Sequence, residues 1–428
     1  MERSCGNHSA VTSRPGLGAD RNFLLYMCAT LGAEIGGQIV FVAIGWQVFL
    51  ISHQPFDLGL VGLAMFLPAI VLVFASGVIA DRFDRKTIVI LARLAEALCA
   101  CGYVGLALAH VGAVWPYLAI ALGLGATRAL SRPAEKTFLP NIVATEVFVS
   151  AQAAYVTGRE LTVIVGPAIG GALLALAAPV AFGAAAAAAL LSAVIYTFLR
   201  IRRSERRAEP QTWRTALAGL GFLRAQPVVF GSIALDLFAV LFGGATALLP
   251  VYADTILHVG PVGLGWLRSA PSVGAAVVAA VLTRRPPQRR VGALAFIAVI
   301  GFGLATIAFA FSTVFWLSLV ALAIMGAFDI VGGVVRNGLV QLNTPDAMRG
   351  RVIAIQSVFT TTSNELGAFE SGTLAAFIGT VPAVAAGGVL ALGVAAVCAQ
   401  AFPALRRADR FVQETGSNTA ATLVDVKT

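Results

Sequence analysis

Residues 57–80, DLGLVGLAMFLPAIVLVFASGVIA, and residues 87–109, TIVILARLAEALCACGYVGLALA, are apolar runs separated by DRFDRK at 81–86, in which only Phe83 is uncharged. Each run is as long as the roughly 20 residues a helix needs to cross a bilayer core. The first carries no charge between Asp57 and Asp81, so it has no polar face to turn toward water. Two membrane spans joined by a short basic turn are predicted, and the pattern repeats along the chain. The 428 residues are 58% hydrophobic and 12% charged, about half the charged share of an ordinary soluble domain, with a mean hydropathy of +0.86. This composition excludes a soluble globular protein.

Spans are predicted at 23–50, 57–80, 87–109, 112–131, 148–177, 180–201, 227–253, 260–283, 291–312, 314–341, 350–379 and 381–403. The fold class is therefore an all-α membrane protein with 12 transmembrane helices. Arg82, Arg85 and Lys86 follow span two; Arg132 and Lys136 follow span four; Arg202, Arg203, Arg206 and Arg207 follow span six; Arg284, Arg285, Arg289 and Arg290 follow span eight; Arg349 and Arg351 precede span eleven. The intervening loops around His53, His110, Ala178, His258, Ser312 and Thr380 hold no Lys or Arg. The positive-inside rule then places both termini in the cytoplasm. The net charge of +9 is distributed as orientation signals, so no nucleic-acid partner is expected. The five cysteines form neither a disulfide framework nor a metal set, and residues 1–20 lack the pattern of a signal peptide. Arginine outnumbers lysine 27 to 3, an association with GC-rich bacterial genomes, so the expected location is the bacterial cytoplasmic (inner) membrane.

The domain reading is a cytoplasmic tail at 1–22, a six-helix bundle at 23–201, a cytoplasmic linker at 202–226, a second bundle at 227–403 and a tail at 404–428. Within the linker, residues 212–224 are expected to form a short surface helix. The two bundles echo each other. Pro140-Asn-Ile, Gln152 and Arg159-Glu160-Leu161 match Pro345-Asp-Ala, Gln356 and Asn364-Glu365-Leu366 at an offset of about 205, and Gly125-Ala126 matches Gly326-Ala327. Such repeats place a binding site between pseudo-symmetric halves, near mid-membrane.

The turn Gly77-Val-Ile-Ala-Asp81-Arg82-Phe-Asp84-Arg85-Lys86 resembles the loop signature G-x-x-x-D-R-x-G-R-[RK] of the major facilitator superfamily, with Asp84 in place of Gly. Gly166-Pro167-Ala-Ile-Gly170-Gly171 resembles the core of the motif associated with that superfamily's exporters, with Thr162 at the usual upstream Gly. Gly123-x-Gly125 is half of a third motif, but Arg128 follows it instead of preceding it, so that motif's proton-transfer role is not carried over. Met348-Arg349-Gly350-Arg351-Val352, Asn364-Glu365-Leu366-Gly367 and Ser131-Arg132-Pro133-Ala134 are similar to the branch of enterobactin (siderophore) exporters and macrolide-efflux proteins. The resemblance implies that two halves rock about a central cavity, with Asp81 forming part of a latch between them. Exporter identity also rests on this resemblance.

Charges inside the spans supply the chemistry: Glu34, Glu96, Glu160, Asp236, Asp329, Glu365 and Glu370 against Arg93, Arg128, Arg159, Arg268 and Arg336. Each costs on the order of 2.5–3.5 kcal/mol at a helix centre, so it must pair or face a hydrated cavity. Arg93 with Glu96, and Asp329 with Arg336, share helical faces and are expected to pair. Arg159 and Glu160 point about 100° apart and are expected to bond to other helices. Asp236 and Glu365 are expected to be the coupling carboxyls, taking up and releasing a proton, with Glu34 beside Gln38 as the next candidate. Asn364 completes the predicted cavity set.

No phosphate-binding loop and no H-E-x-x-H site occur, so no enzyme activity, cofactor or metal is expected. The expected partners are a small-molecule substrate, protons and membrane lipid, with the chain acting as a monomer. Function is read as proton-coupled export, by antiport, of a siderophore or amphipathic drug-like molecule. An uptake symporter for a small metabolite and a non-transporting receptor or scaffold are the alternatives.

Overall fold

A computed structural model describes residues 20–200 except Lys136, and 221–411 except 222, 224 and 225; the side chains of 73–78, 80–82 and 347 also lie outside the description. Among the described residues there are twelve long helical segments and no strand. In the N-terminal half they are α1 (Arg21–Ser52), α2 (Pro55–Arg82), α3 (Arg85–Leu108), α4 (Trp115–Glu135), α5 (Phe148–Leu176) and α6 (Ala178–Phe198). The C-terminal half has α7 (Pro227–Ile256), α8 (Gly260–Arg284), α9 (Val291–Ala310), α10 (Phe315–Leu342), α11 (Asp346–Ile378) and α12 (Thr380–Ala401). Ten are long and apolar enough to cross a membrane; α4 and α11 fall outside that set. Those two carry Arg128, Arg132 and Glu135, and Asp346, Arg349, Arg351, Glu365 and Glu370, respectively.

Helix boundaries follow local chemistry. Asp20 caps α1 by accepting from the Asn22 and Phe23 amides at 2.9 and 3.3 Å. His53, His110 and His258 end α1, α3 and α7 with φ near 50° and are exposed, as residues able to adopt the left-handed region commonly are at turns. α4 runs four residues beyond its predicted end, through Pro133 to Glu135. α7 is not one continuous α-helix: its first part stops at Phe242, and a 3-10 turn at Gly244–Leu248 and a π turn at Tyr252–Ile256 follow. Adjacent Gly243 and Gly244, then Pro250, account for the break.

The halves pack alike. α2 lies on α4, α3 on α6 and α1 on α5 and α6; in the second half α8 lies on α10, α9 on α12 and α7 on α11 and α12. The repeated Gly-Ala pairs have a shared purpose. A Cβ at Gly125 would collide with the Met65 carbonyl of α2, and one at Gly326 with the Pro271 carbonyl of α8. Both glycines let equivalent helices touch backbone to backbone. Two main contacts join the halves, α5 with α8 and α2 with α11, with smaller ones from α1 and α2 to α7 and from α1 to α8. The close approaches across them involve Gly59 with Gly372 and Gly171 with Gly265, toward the end of the molecule that carries the histidine turns.

The opposite end is tied within each half. Asn22 donates to the Arg200 carbonyl at 2.6 Å and accepts from the Arg200 amide at 3.0 Å. In the second half, Asn343 donates to the Phe411 carbonyl at 2.6 Å, and Asp409 accepts from the Arg290 amide at 3.1 Å. The chain following α12 therefore packs against its bundle through Phe411, with Leu405 fully buried. The surface helix expected at 212–224 lies outside the described residues, apart from Gly221 and Leu223.

Candidate functional site

Two ion-paired groups lie deep within the helices among the described residues. Arg93, 7% exposed, bonds Glu96 at 2.6 Å, as the spacing predicts, and also pairs with Glu135 on α4. Glu135 was missed because it follows the Arg132-Pro133 sequence, which reads as a basic loop; Pro133 is instead held within the helix. Arg336 corrects a second expectation. It pairs with Asp236 on α7, not with Asp329 on its own helix. Seven residues separate Asp329 from Arg336 by about 10 Å along the axis, too far for direct contact when a neighbouring helix offers a carboxylate at the right height.

Asp236 and Asp329 still meet in one place. Both line a small cavity in the C-terminal half with Ala239, Val299, Phe302 and Phe328. Its counterpart in the other half is lined by Gly36, Gly37, Val40, Glu96, Leu124 and Arg128. The repeat that aligns Gly125 with Gly326 aligns Arg128 with Asp329, so equivalent positions carry opposite charges. Asp329 is exposed although it sits near the middle of α10. Arg128 lies over Gly37 of α1, where a Cβ would come 3.0 Å from its Nη2.

Glu365 occupies the seam between halves. It lies against Gly62 of α2, whose added Cβ would be 3.6 Å from Glu365 Oε2. The charges of Arg128 and Arg132 reach it from α4, yet among the described residues it makes no ion pair. Asn364 beside it is exposed. Glu370, one turn closer to the histidine end, accepts from Ser371 Oγ at 3.3 Å. Glu34 is half-buried, within electrostatic reach of Tyr155 and Glu135. Its neighbour Gln38 packs its aliphatic stem onto Gly166. Arg159 and Glu160 are exposed and form no ion pair among the described residues, contrary to the expected links to other helices.

The motifs have definite structural roles. Gly166 and Gly170 face α1 at Gln38 and Ile39, whereas Gly171 faces α8, where its Cβ would sit 3.0 Å from the Gly265 Cα. Pro167 removes one backbone donor from α5, and Ser269 of α8 donates to the nearby Ile164 carbonyl at 2.6 Å. This motif thus forms the junction of α1, α5 and α8. In the loop signature, Lys86 donates to the Thr197 and Leu199 carbonyls at 2.7 and 2.9 Å, capping the end of α6. Asp84 replaces the signature's Gly without strain: its φ is −61°, and it caps α3 by accepting from the Thr87 amide at 3.2 Å. Arg85 is half-buried. Gly77, Asp81 and Arg82 lie in the last turns of α2, and the latch expected of Asp81 falls outside the described side chains.

The profile of the family described as transmembrane secretion effector (MFS_3) matches residues 19–427. The chain belongs to that family. Transmembrane secretion effectors are transporters of the major facilitator superfamily, and this one is a multi-pass membrane transporter rather than an enzyme. It is similar to the enterobactin exporter EntS of Escherichia coli O1:K1 / APEC, 29% identical over 363 residues, covering 82% of this chain and 85% of that one. Its fold is similar to that of a bacterial homolog of the human lysosomal transporter Spinster in an inward-facing, unoccupied conformation, with a TM-score of 0.69 at 15% identity, over 90% of this chain and 98% of that one. A bacterial homologue of the iron transporter ferroportin, also inward-facing, gives a TM-score of 0.68 at 16% identity, over 90% and 99%. In this secretion-effector chain, Arg268, counted above only as an intramembrane charge, also enters the site: its Cζ lies 4.3 Å from the centroid of the Phe41 ring.

Proposed function

We propose that the protein exports a siderophore or an amphipathic drug-like molecule from the bacterial cytoplasm in exchange for protons, by alternating access. The observation that carries this reading is Glu365: a carboxyl without an ion pair among the described residues, in the α2–α11 seam that must rearrange when the halves rock. A proton there removes a charge from the seam, and its loss restores one facing Arg128 and Arg132. Asp236, Asp329 and Glu34 are the further proton-binding candidates, with Gln38, Asn364, Arg128, Arg159, Glu160, Arg336 and Glu370 completing the polar cavity.

Similarity to an enterobactin exporter over most of the chain supports outward transport and a siderophore-like substrate. The charge asymmetry of the loops supports cytoplasmic termini. In that orientation the close contacts at Gly59–Gly372 and Gly171–Gly265 shut the outer side of the cavity. The chain is read as a monomer with boundaries at 1–22, 23–201, 202–226, 227–403 and 404–428.

The experiment is accumulation of enterobactin and a panel of amphipathic drugs in cells with and without the protein, repeated after the proton gradient is collapsed. Lower accumulation that vanishes with the gradient is expected. Higher accumulation would establish an uptake symporter instead, and lower accumulation insensitive to the gradient would remove proton coupling.

A further inference from the structure

Arg268 has an environment unlike that of the other deep arginines. Arg93 and Arg336 are held by carboxylates, and Arg128 lies within the electrostatic reach of Glu365. Among the described residues Arg268 has no carboxylate partner and no hydrogen bond, and its Nε is shut off from solvent without an acceptor. Its neighbours lie across the seam on α1, Phe41 under the guanidinium and Gly45 beside it, and Pro250 of α7 borders the same glycine. It lies about 12 Å along α8 from that helix's histidine-turn end, at 1.5 Å per residue.

A ring beneath the guanidinium satisfies the face of the cation. The N–H donors lie in the plane, at the edge, and stacking leaves them unused. Two parallel in-plane donors match the paired oxygens of a carboxylate or similar planar anion, and an ammonium could not reproduce that fork. An unpaired cation at this depth is costly unless another group joins it for part of the cycle. The neighbouring surfaces, a phenyl ring and a glycine of α1, suit an aromatic or flat apolar body attached to that anion.

We infer that Arg268 is the anion-recognition point of the transport cavity and that the substrate class is an amphipathic acid, its planar anionic group bound edge-on by Arg268 and its apolar part lying along Phe41. This rests on the transporter reading above and narrows its substrate.

The test uses the full chain in phosphatidylcholine nanodiscs, with 4-fluorobenzoate and its neutral counterpart 4-fluorobenzamide followed by fluorine NMR. Saturable binding of the acid is expected, at least tenfold tighter than the amide. Arg268→Met should weaken acid binding at least tenfold, and Arg268→Lys by a smaller factor, because the charge survives while the fork is lost. Equal binding of acid and amide, absence of saturable acid binding, or unchanged affinity in Arg268→Met would each overturn the inference. Should the Met variant fail to fold, the acid–amide comparison and Arg268→Lys decide it, Lys binding as tightly as wild type counting against it. Repeating the titration in phosphatidylglycerol nanodiscs separates substrate from lipid: loss of acid binding there would assign the site to an anionic headgroup and overturn the substrate claim. Selective acid binding without gradient-driven export would leave the site standing and remove the exporter reading; export without acid selectivity would do the reverse.

Discussion

Arg336 and Asp236 bridge α10 and α7, and their side chains are only 13% and 15% exposed. Removing one member of such a pair strands the other charge in a poorly hydrated place, at a typical cost of about 3–5 kcal/mol. Asp236→Asn should therefore lower the melting temperature in detergent strongly, and Asp236→Asn combined with Arg336→Gln should recover part of the loss; an additive double variant would show that the two groups are independent. Glu365 predicts the opposite balance, since among the described residues it has no ion pair to break. Glu365→Gln should leave the melting temperature within a few degrees of wild type while abolishing gradient-driven export, measured as accumulation with and without the gradient. Retained gradient-driven export in that variant would reassign coupling to Asp236, Asp329 or Glu34.

At the scale of elements, the junction of α5 and α8 depends on missing side chains. A Cβ at Gly265 would come 2.6 Å from the Pro167 carbonyl and 3.1 Å from the Ala168 Cα, contacts with backbone that no rotamer change relieves. Gly265→Val should push α8 from α5, reduce transport at least tenfold and lengthen spin-label distances between α5 and α8 at the histidine end. Gly183→Ala on α6 has no atom within 4 Å of the added Cβ and serves as the tolerated control. Asp84→Ala should cost about 1 kcal/mol, the usual value of an N-cap, read as a small shift in melting temperature with transport retained.

At the scale of the whole molecule, the basic clusters and the lysine-free, arginine-free turns assign opposite faces. In a cysteine-free background, His53→Cys should react with a membrane-impermeant thiol reagent applied outside intact cells, whereas Arg285→Cys should react only after permeabilisation. The reverse pattern would invert the orientation and the direction assigned to transport. The two main inter-half contacts, α2–α11 and α5–α8, are the surfaces along which the proposed alternating access would move one bundle against the other, and in that proposal their glycines and Glu365 serve mechanism as well as packing.

The number and length of the spans were legible in the sequence because a bilayer demands a run of apolar residues that local composition displays directly. The repeat was legible for a similar reason: Gly125 and Gly326 each admit a neighbouring backbone, a requirement that leaves a mark at a fixed place in both halves. Partnerships between charges were not. Arg93 with Glu96 could be read because both lie on one helix, whereas Arg93 with Glu135, Arg336 with Asp236, and Arg268 over Phe41 join residues on different helices. Helical periodicity gives the direction of a side chain around its own axis and says nothing about the rotation or height of the helix it faces. Packing of the twelve helices decided those, and with them which charges are paired across helices.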